Sequence, residues 1–337
     1  MATYPDTDKI KDIIEAANTI VIVQADNPDA DSLGSALALE QILHDLGKTP
    51  YLYSGAEMPG YLRYLTGWDR VEKELPNKFD ASIIVDASTM TLLEKLTKSN
   101  QQGWLASKPC IVLDHHEIVD NKVPFSTVEI NDHNRSSTGE LIYLISKQLG
   151  WNMSQVAQEN IMHSILGDTQ GLSNQLATAE TYRIMADMIE AGVDRPYLEE
   201  KRREYSKMPL SIFRYKADLI KRTEFKENDS IALLVIPQDE INKYSPLYNP
   251  GPLIQGDMLQ TKNVRVAIVL KYYDDKKVTA AIRANIGAPI AAGLAEHFGG
   301  GGHKYAGGFK TSPNQDIDKI KQECFDKSIE LLKQIVD

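Results

Sequence analysis

The stretch TIVIVQADNPDADS, residues 19–32, decides how the first half of the chain folds. Its first six residues, Thr19–Gln24, are a short β-branched run of the kind found in buried parallel strands. The polar segment ADNPDADS then breaks the run. Leu33 to Leu46 reads as a helix, with Gly47 just past its end. Upstream, Ile10, Ile13, Ile14 and Ala17 recur at helical spacing. Downstream, apolar runs return at 81–85 (ASIIV) and 110–113 (CIVL), and the spacing predicts helices over Thr138–Leu149 and Gln155–Leu166. Alternation of this sort means βαβ units and a parallel sheet covered on both faces.

Three of these runs end in acidic or imidazole residues. Asp29 and Asp31 follow the first, Asp86 the second, and Asp114, His115 and His116 the third. Ligands of open parallel sheets bind beyond the carboxyl ends of the strands. The polar groups are therefore expected to converge on one crevice.

Composition narrows the function. The 337 residues carry 37 basic and 47 acidic side chains, so the formal charge is 37 − 47 = −10. That balance argues against a long duplex nucleic-acid partner, whose binding depends on neutralising many phosphates; a short anionic substrate held by a few local cations stays open. No stretch approaches the ~20 apolar residues of a membrane helix, and the N-terminus lacks the layout of a secretory signal. No membrane partner and a cytoplasmic location are the expectations. Two Cys far apart, Cys110 and Cys324, read as reduced core thiols.

The second half reads differently. The charged stretch around 193–222 is expected to be a helical linker between a first domain, 1–192, and a second, 223–337. Strand patterns appear at Ser230–Ile236, Val264–Tyr273 and Val278–Arg283, and helical ones at Pro289–Phe298 and Asp316–Val336. The expected fold class is α/β, a parallel-sheet lobe followed by a smaller α/β lobe.

Asp29, Asp31, Asp86, His115 and Asp168 (in GDTQG) form a hard, oxygen-rich donor set with one imidazole, suited to Mn²⁺ and tolerant of Mg²⁺. Crowded carboxylates without cations repel one another. A pair of divalent ions removes that cost and suits in-line displacement at phosphorus. Four consecutive glycines, Gly299–Gly302, precede His303, where backbone N–H groups can approach an anion. His303 adds a donor and Arg283 a guanidinium. Arg135 is placed either against the scissile phosphate or in a solvated loop. Ser137 and Glu140 have capping-box spacing. His163, in mid-helix among apolar residues, reads as structural.

The motifs NPDADSLGS (27–35), VDAS (85–88), LDHH (113–116), SSTGELIY (136–143), GDTQG (167–171) and GGGGHKYAGG (299–308) resemble, in order, those of the DHH phosphoesterases. The resemblance is to the branch of oligoribonucleases (nanoRNases) and pAp phosphatases. It implies two ions, with Asp86 between them and Asp29, Asp31, His115 and Asp168 as further ligands. It implies that His116 faces the scissile phosphate, that Asp114 orients an imidazole, and that Arg283, Gly300, Gly301, Gly302 and His303 grip the terminal nucleotide. The implied substrates are very short single-stranded RNA, dinucleotides and pAp. A homodimer is compatible with this reading. Hydrolysis of linear or cyclic dinucleotides is the alternative activity. A nucleotide-binding module with a degenerate metal site is the alternative of another class, because relatives usually carry a His where this chain has Ala25. The other outcomes of that replacement are that water, Asp26 or Asn27 fills the gap, or that the ion binds more weakly, with His133 as a spare imidazole.

Overall fold

The computed structural model describes residues 3–116, 121–245 and 248–335. It contains two compact units, one up to Lys207 and one from Met208. The division falls inside the stretch expected to be a linker.

The first unit runs α1 (Thr7–Ala16), β1 (Thr19–Gln24), α2 (Ala30–Asp45), β2 (Thr49–Ser54), β3 (Ala81–Val85), α3 (Glu94–Lys98) and α4 (Gln102–Ala106). It continues through β4 (Cys110–Asp114), β5 (Val128–Asn131), α5 (Thr138–Leu149), α6 (Gln155–Asp168), α7 (Ala179–Glu190) and α8 (Arg195–Tyr205). The strand order is β2-β1-β3-β4-β5, and every pairing is parallel. This is a doubly wound order in which the chain reverses direction between β1 and β3.

Side chains alternate across that sheet with period two. Ile20, Ile22, Ile83, Val85, Ile111 and Leu113 join the cluster beneath α2, α5 and α6. Val21, Val23, Ile84, Cys110 and Val112 join the opposite cluster with Leu96 and Leu105. Apolar residues on both faces explain why the strands read as unbroken hydrophobic runs. Helix α8 contributes Leu198 to the first cluster, so half of the expected linker is packed into this unit.

The second unit runs α9 (Leu210–Arg222), β6 (Glu224–Lys226), β7 (Ile231–Pro237), α10 (Gln238–Tyr244), α11 (Pro250–Gln260), β8 (Val266–Tyr272) and β9 (Val278–Ala284). It ends with α12 (Ala291–His297), β10 (Gly301–His303), β11 (Ala306–Lys310) and α13 (Ile317–Lys333). The order is β10-β11-β9-β8-β7-β6, with only β7 and β8 parallel among the described strands. Helices α9 and α11 cover one face through Ile212, Leu219, Ile254 and Met258. Helices α12 and α13 cover the other through Leu294, Cys324 and Phe325. Val336, where the sequence pattern ends the last helix, lies outside the described residues. Both cysteines are buried and free.

The glycine run, expected as an anion-binding loop, is partly a strand. Gly301–His303 pair antiparallel with Ala306–Gly308 in a tight hairpin. A Cβ on Gly300 would lie 2.2 Å from the Gly308 carbonyl oxygen, and one on Gly302 would lie 2.4 Å from that of Ala306. Backbone packed that closely admits no side chain.

Candidate metal centre

The polar residues that end β1, β3 and β4 meet at the carboxyl edge of the first sheet, beside the reversal of strand order. His115 stands at their centre. Its Nε2 lies 2.9 Å from Asp168 Oδ2, 3.3 Å from Asp31 Oδ2 and 3.7 Å from Asp86 Oδ1. Its Nδ1–H donates to the Arg135 carbonyl at 3.3 Å, which turns Nε2 toward the carboxylates. That buried Nε2 makes no aligned hydrogen bond. A buried ring nitrogen among three carboxylate oxygens fits a divalent cation, which would take the place of its proton and satisfy all four groups. Among the described residues, two overlapping groups could hold an ion: Asp31, His115 and Asp168; and Asp86, His115 and His116.

Each carboxylate is placed by local structure. Asp31, in the first turn of α2, is fully buried and accepts from Ser35 Oγ (2.8 Å), Ser164 Oγ (2.6 Å), Thr138 N (2.8 Å) and Gly139 N (3.3 Å). The backbone donors belong to the start of α5, so the positive end of that helix faces Asp31. Ser164 reaches it because α5 and α6 cross closely: a Cβ on Gly139 would lie 2.1 Å from Ser164 Oγ. Asp86 is buried just past β3 at φ +57°, a left-handed conformation that costs a non-glycine residue of order 1 kcal/mol or more. Thr138 Oγ1 approaches its carboxylate at 3.4 Å. Asp168 ends α6 and is followed by a turn with Gln170, Gly171 and Leu172 all at positive φ. Asp29 caps α2 by accepting from Ser32 N at 3.0 Å, and its ligand atoms fall outside both groups.

Electrostatics record the crowding. Burial and then the charge of Asp31 push Asp86 well above the usual carboxylate range. Burial raises Asp168 to about 6, against the pull of His115. Desolvation and Asp31 also raise Asp29, although part of that residue faces solvent. Burial acts to raise Asp31 as well, but His115 and the donors around it hold it at about 2. Burial acts to lower His115, yet Asp168 and Asp31 hold it up at about 12. The site, in short, concentrates negative potential on one imidazole.

His116 sits beside this cluster with its side chain 52% exposed. Its Nδ1–H donates to Asp114 Oδ1 at 2.8 Å. Asp114 is itself anchored by the Ser88 hydroxyl, by Ser88 N at 2.8 Å and by His115 N at 2.7 Å. The carboxylate therefore orients the second imidazole from within the DHH motif. Among the described residues, His116 Nε2 has no partner.

Arg135 is not in a solvated loop but in a cluster of carboxylates, with its side chain 11% exposed. Its guanidinium lies 3.0 Å from Asp132, 3.3 Å from Glu140 and 2.6 Å from Glu180. Ser137 caps α5, accepting from Glu140 N at 3.1 Å. The Glu140 side chain does not return to the cap; it takes the Arg135, Ser136 and Thr181 donors instead. Ala25 points its methyl into the apolar cluster of Val21 and Val23. Asp26 accepts from Lys95 N at 2.8 Å, and Asn27 and His133 are exposed.

In the second unit, Arg283 and Gly300 line a cleft of about 580 Å³. Gly301, Gly302 and His303 lie in the adjoining hairpin strand, outside the lining. Three in-register rows cross β8, β9 and β11. Lys271, Thr279 and Lys310 form one, Val269, Ala281 and Gly308 the next, and Ala267, Arg283 and Ala306 the third. Small residues thus floor a surface with cations at both ends, roughly 13 Å apart along the strands. No acidic side chain lines this cleft among the described residues. Lys271 and Lys310 escaped the sequence reading because only strand register brings them together. Gln255 also lines it, with Nε2 donating to the Ala281 carbonyl at 2.9 Å.

Comparison with known proteins bears on the family and the fold. Residues 19–167 match the DHH family, N-terminal domain. The bifunctional oligoribonuclease and PAP phosphatase NrnA of Bacillus subtilis is 22% identical over 310 residues, 91% of this chain and 94% of that protein. NrnA of Thermus thermophilus is 23% identical over 300 residues, 89% and 86% of the two chains. An exopolyphosphatase-related protein from Bacteroides fragilis shares the fold with a TM-score of 0.80 at 22% identity, covering 96% of this chain and 97% of that one. Exonuclease RecJ follows with a TM-score of 0.54 at 14% identity, covering 100% and 99%. The chain is thus similar, over nearly its whole length, to proteins named as bifunctional oligoribonuclease and PAP phosphatase, with the family match confined to its first unit.

Proposed function

We propose that this chain is a divalent-metal-dependent phosphoesterase that hydrolyses very short oligoribonucleotides and pAp. The observation that carries the reading is the bare Nε2 of His115, buried among Asp31, Asp86 and Asp168. The names of the relatives that match across both units support the substrate class. Asp31, Asp86, His115 and Asp168 would hold the metal, with Asp29 at the rim. The donor set favours Mn²⁺ and accepts Mg²⁺. When bound, the metal supplies positive charge for the phosphoryl oxygens and acidity for a water.

The chain's own residues do the rest. Ser35, Ser164 and the α5 backbone hold Asp31 in one orientation. Asp114 fixes the His116 ring so that Nε2 is available to donate to a phosphate or leaving oxygen. Arg135 ties α5 to α7 through Glu140 and Glu180 and sets His115 through its carbonyl. Lys271, Lys310, Arg283 and the glycine hairpin with His303 receive a nucleotide end in the second unit.

The test is turnover of pAp, an RNA dinucleotide and an RNA pentanucleotide by EDTA-stripped protein with Mn²⁺ or Mg²⁺ restored. The reading expects metal-dependent release of mononucleotide or phosphate, lost in His115→Ala. Absence of turnover with every ion, or full activity in His115→Ala, would contradict it. The degenerate-site alternative predicts nucleotide binding without turnover in the same assay.

A further inference from the structure

A second cleft, about 680 Å³, lies in the first unit between α6, α8 and the segment from Tyr61 to Tyr64. None of the candidate metal ligands lines it. Its wall includes Ala30 and Gly167, immediate sequence neighbours of Asp29, Asp31 and Asp168.

The interior is built of three kinds of surface. Leu62, Leu166 and Leu198 make an apolar floor. Tyr64 and His163 are each 5% exposed, and their rings meet edge to face with centroids 5.1 Å apart. Neither the Tyr64 hydroxyl nor the His163 ring makes a hydrogen bond among the described residues, although both side chains line the opening. Their polar atoms are not sealed beneath the surface but reach the opening, so they are presented to whatever the cleft receives. At the rim stand three guanidiniums, Arg195, Arg202 and Arg203, against one carboxylate. Glu199 binds Arg202 (2.8 Å) and Arg203 (2.9 Å), while Arg195 makes no ion pair among the described residues. The local surplus is two positive charges in a chain whose net charge is −10. The exposed Tyr61 ring also lines the cleft, and its hydroxyl is pinned to the Pro28 carbonyl at 3.1 Å. A fixed, solvent-facing aromatic ring is a stacking platform.

We propose that this cleft is a second nucleotide-binding site, taking an aromatic base and an adjoining phosphate without using the metal centre. The base stacks near Tyr61 over the leucine floor, with Tyr64 and His163 meeting its polar edge. The phosphate lies on Arg195 and the Arg202–Arg203 pair. The volume is within the range of small-ligand pockets. The same chemistry is presented by a free mononucleotide and by the next nucleotide of a strand whose end is at the metal centre.

The inference rests on the function proposed above only for the choice of probe. The full chain in EDTA is photolabelled with 8-azido-AMP, and the modified peptides are identified by mass spectrometry. Label is expected within residues 61–64 or 195–203, displaced by AMP and retained in Arg283→Gln. Arg195→Gln and Tyr64→Phe should each weaken labelling roughly tenfold, the loss of one hydrogen-bonding group from a charged or buried contact. Displacement by pApA tenfold more tightly than by AMP would assign the site to a strand; equal displacement would assign it to a free mononucleotide. Label confined to residues 271–310, or unchanged affinity in both variants, overturns the proposal. Binding is read without metal or turnover, so an inactive enzyme would not be mistaken for an absent site.

Discussion

Two buried serines should respond differently to alanine. Ser164 Oγ donates to Asp31 at 2.6 Å and accepts from Gly139 N at 3.0 Å, inside the α5–α6 crossing. Ser164→Ala leaves Asp31 with one donor fewer and leaves Gly139 N with only its longer approach to Asp31, at 3.3 Å. Hydrogen bonds to charged groups contribute about 1.5–3 kcal/mol each, so the loss should be about 2 kcal/mol. Ser146, also fully buried, has a hydroxyl with no partner among the described residues. Ser146→Ala removes a desolvated polar atom and should leave stability unchanged or raise it by about 1 kcal/mol. All three tryptophans, Trp68, Trp104 and Trp151, lie in the first unit, so their fluorescence reports its unfolding alone. For a unit of about 200 residues, 2 kcal/mol corresponds to a Tm lower by about 4–8 °C. Equal losses in the two variants would show that volume, not the bond to Asp31, sets the response, and the argument for a pre-oriented Asp31 would fail.

Other expectations follow from the same geometry. Burial, then the charges of Lys201 and Arg202, holds His163 down at about 4, below its ordinary value of 6.5. Between those values the unfolded chain binds the extra proton, so stability falls as pH drops from about 6.5 to 4, by about 3 kcal/mol in total. Urea midpoints across that range should show the slope in wild type and a flatter profile in His163→Gln; identical profiles would refute it. Arg135→Gln leaves the buried Glu140 without its cation and should cost about 3 kcal/mol at neutral pH; a change only in KM, with Tm intact, would restore the phosphate-contact reading. Replacing Lys271 and Lys310 together by Gln should raise KM for a dinucleotide at least tenfold with kcat little changed, and a fall in kcat alone would remove them from substrate capture.

Much of the first unit was legible because its central strands are buried on both faces. β1, β3 and β4 stand out as β-branched runs, and the residues that end them are the ones that meet. β2 was harder to see: it is an edge strand, TPYLYS, with Pro50 and a solvent-facing start. β5 is only four residues long. The Arg135 hub was illegible because Glu180 is 45 residues away and only the packing of α7 on α5 joins them. In the second unit the glycines marked close backbone approach, but the approach is between β10 and β11. The Lys271–Thr279–Lys310 row depends on register, which no single segment encodes.

The most direct test of the metal centre is calorimetric titration of Mn²⁺ into EDTA-stripped full-length protein, wild type beside Asp86→Asn and His115→Ala, with circular dichroism to confirm the fold. Wild type should bind manganese and release protons as it does so, since Asp86, Asp168 and His115 hold theirs up to raised pH. Both variants should bind at least a hundredfold more weakly while remaining folded. Unchanged manganese affinity in the two folded variants would contradict the account.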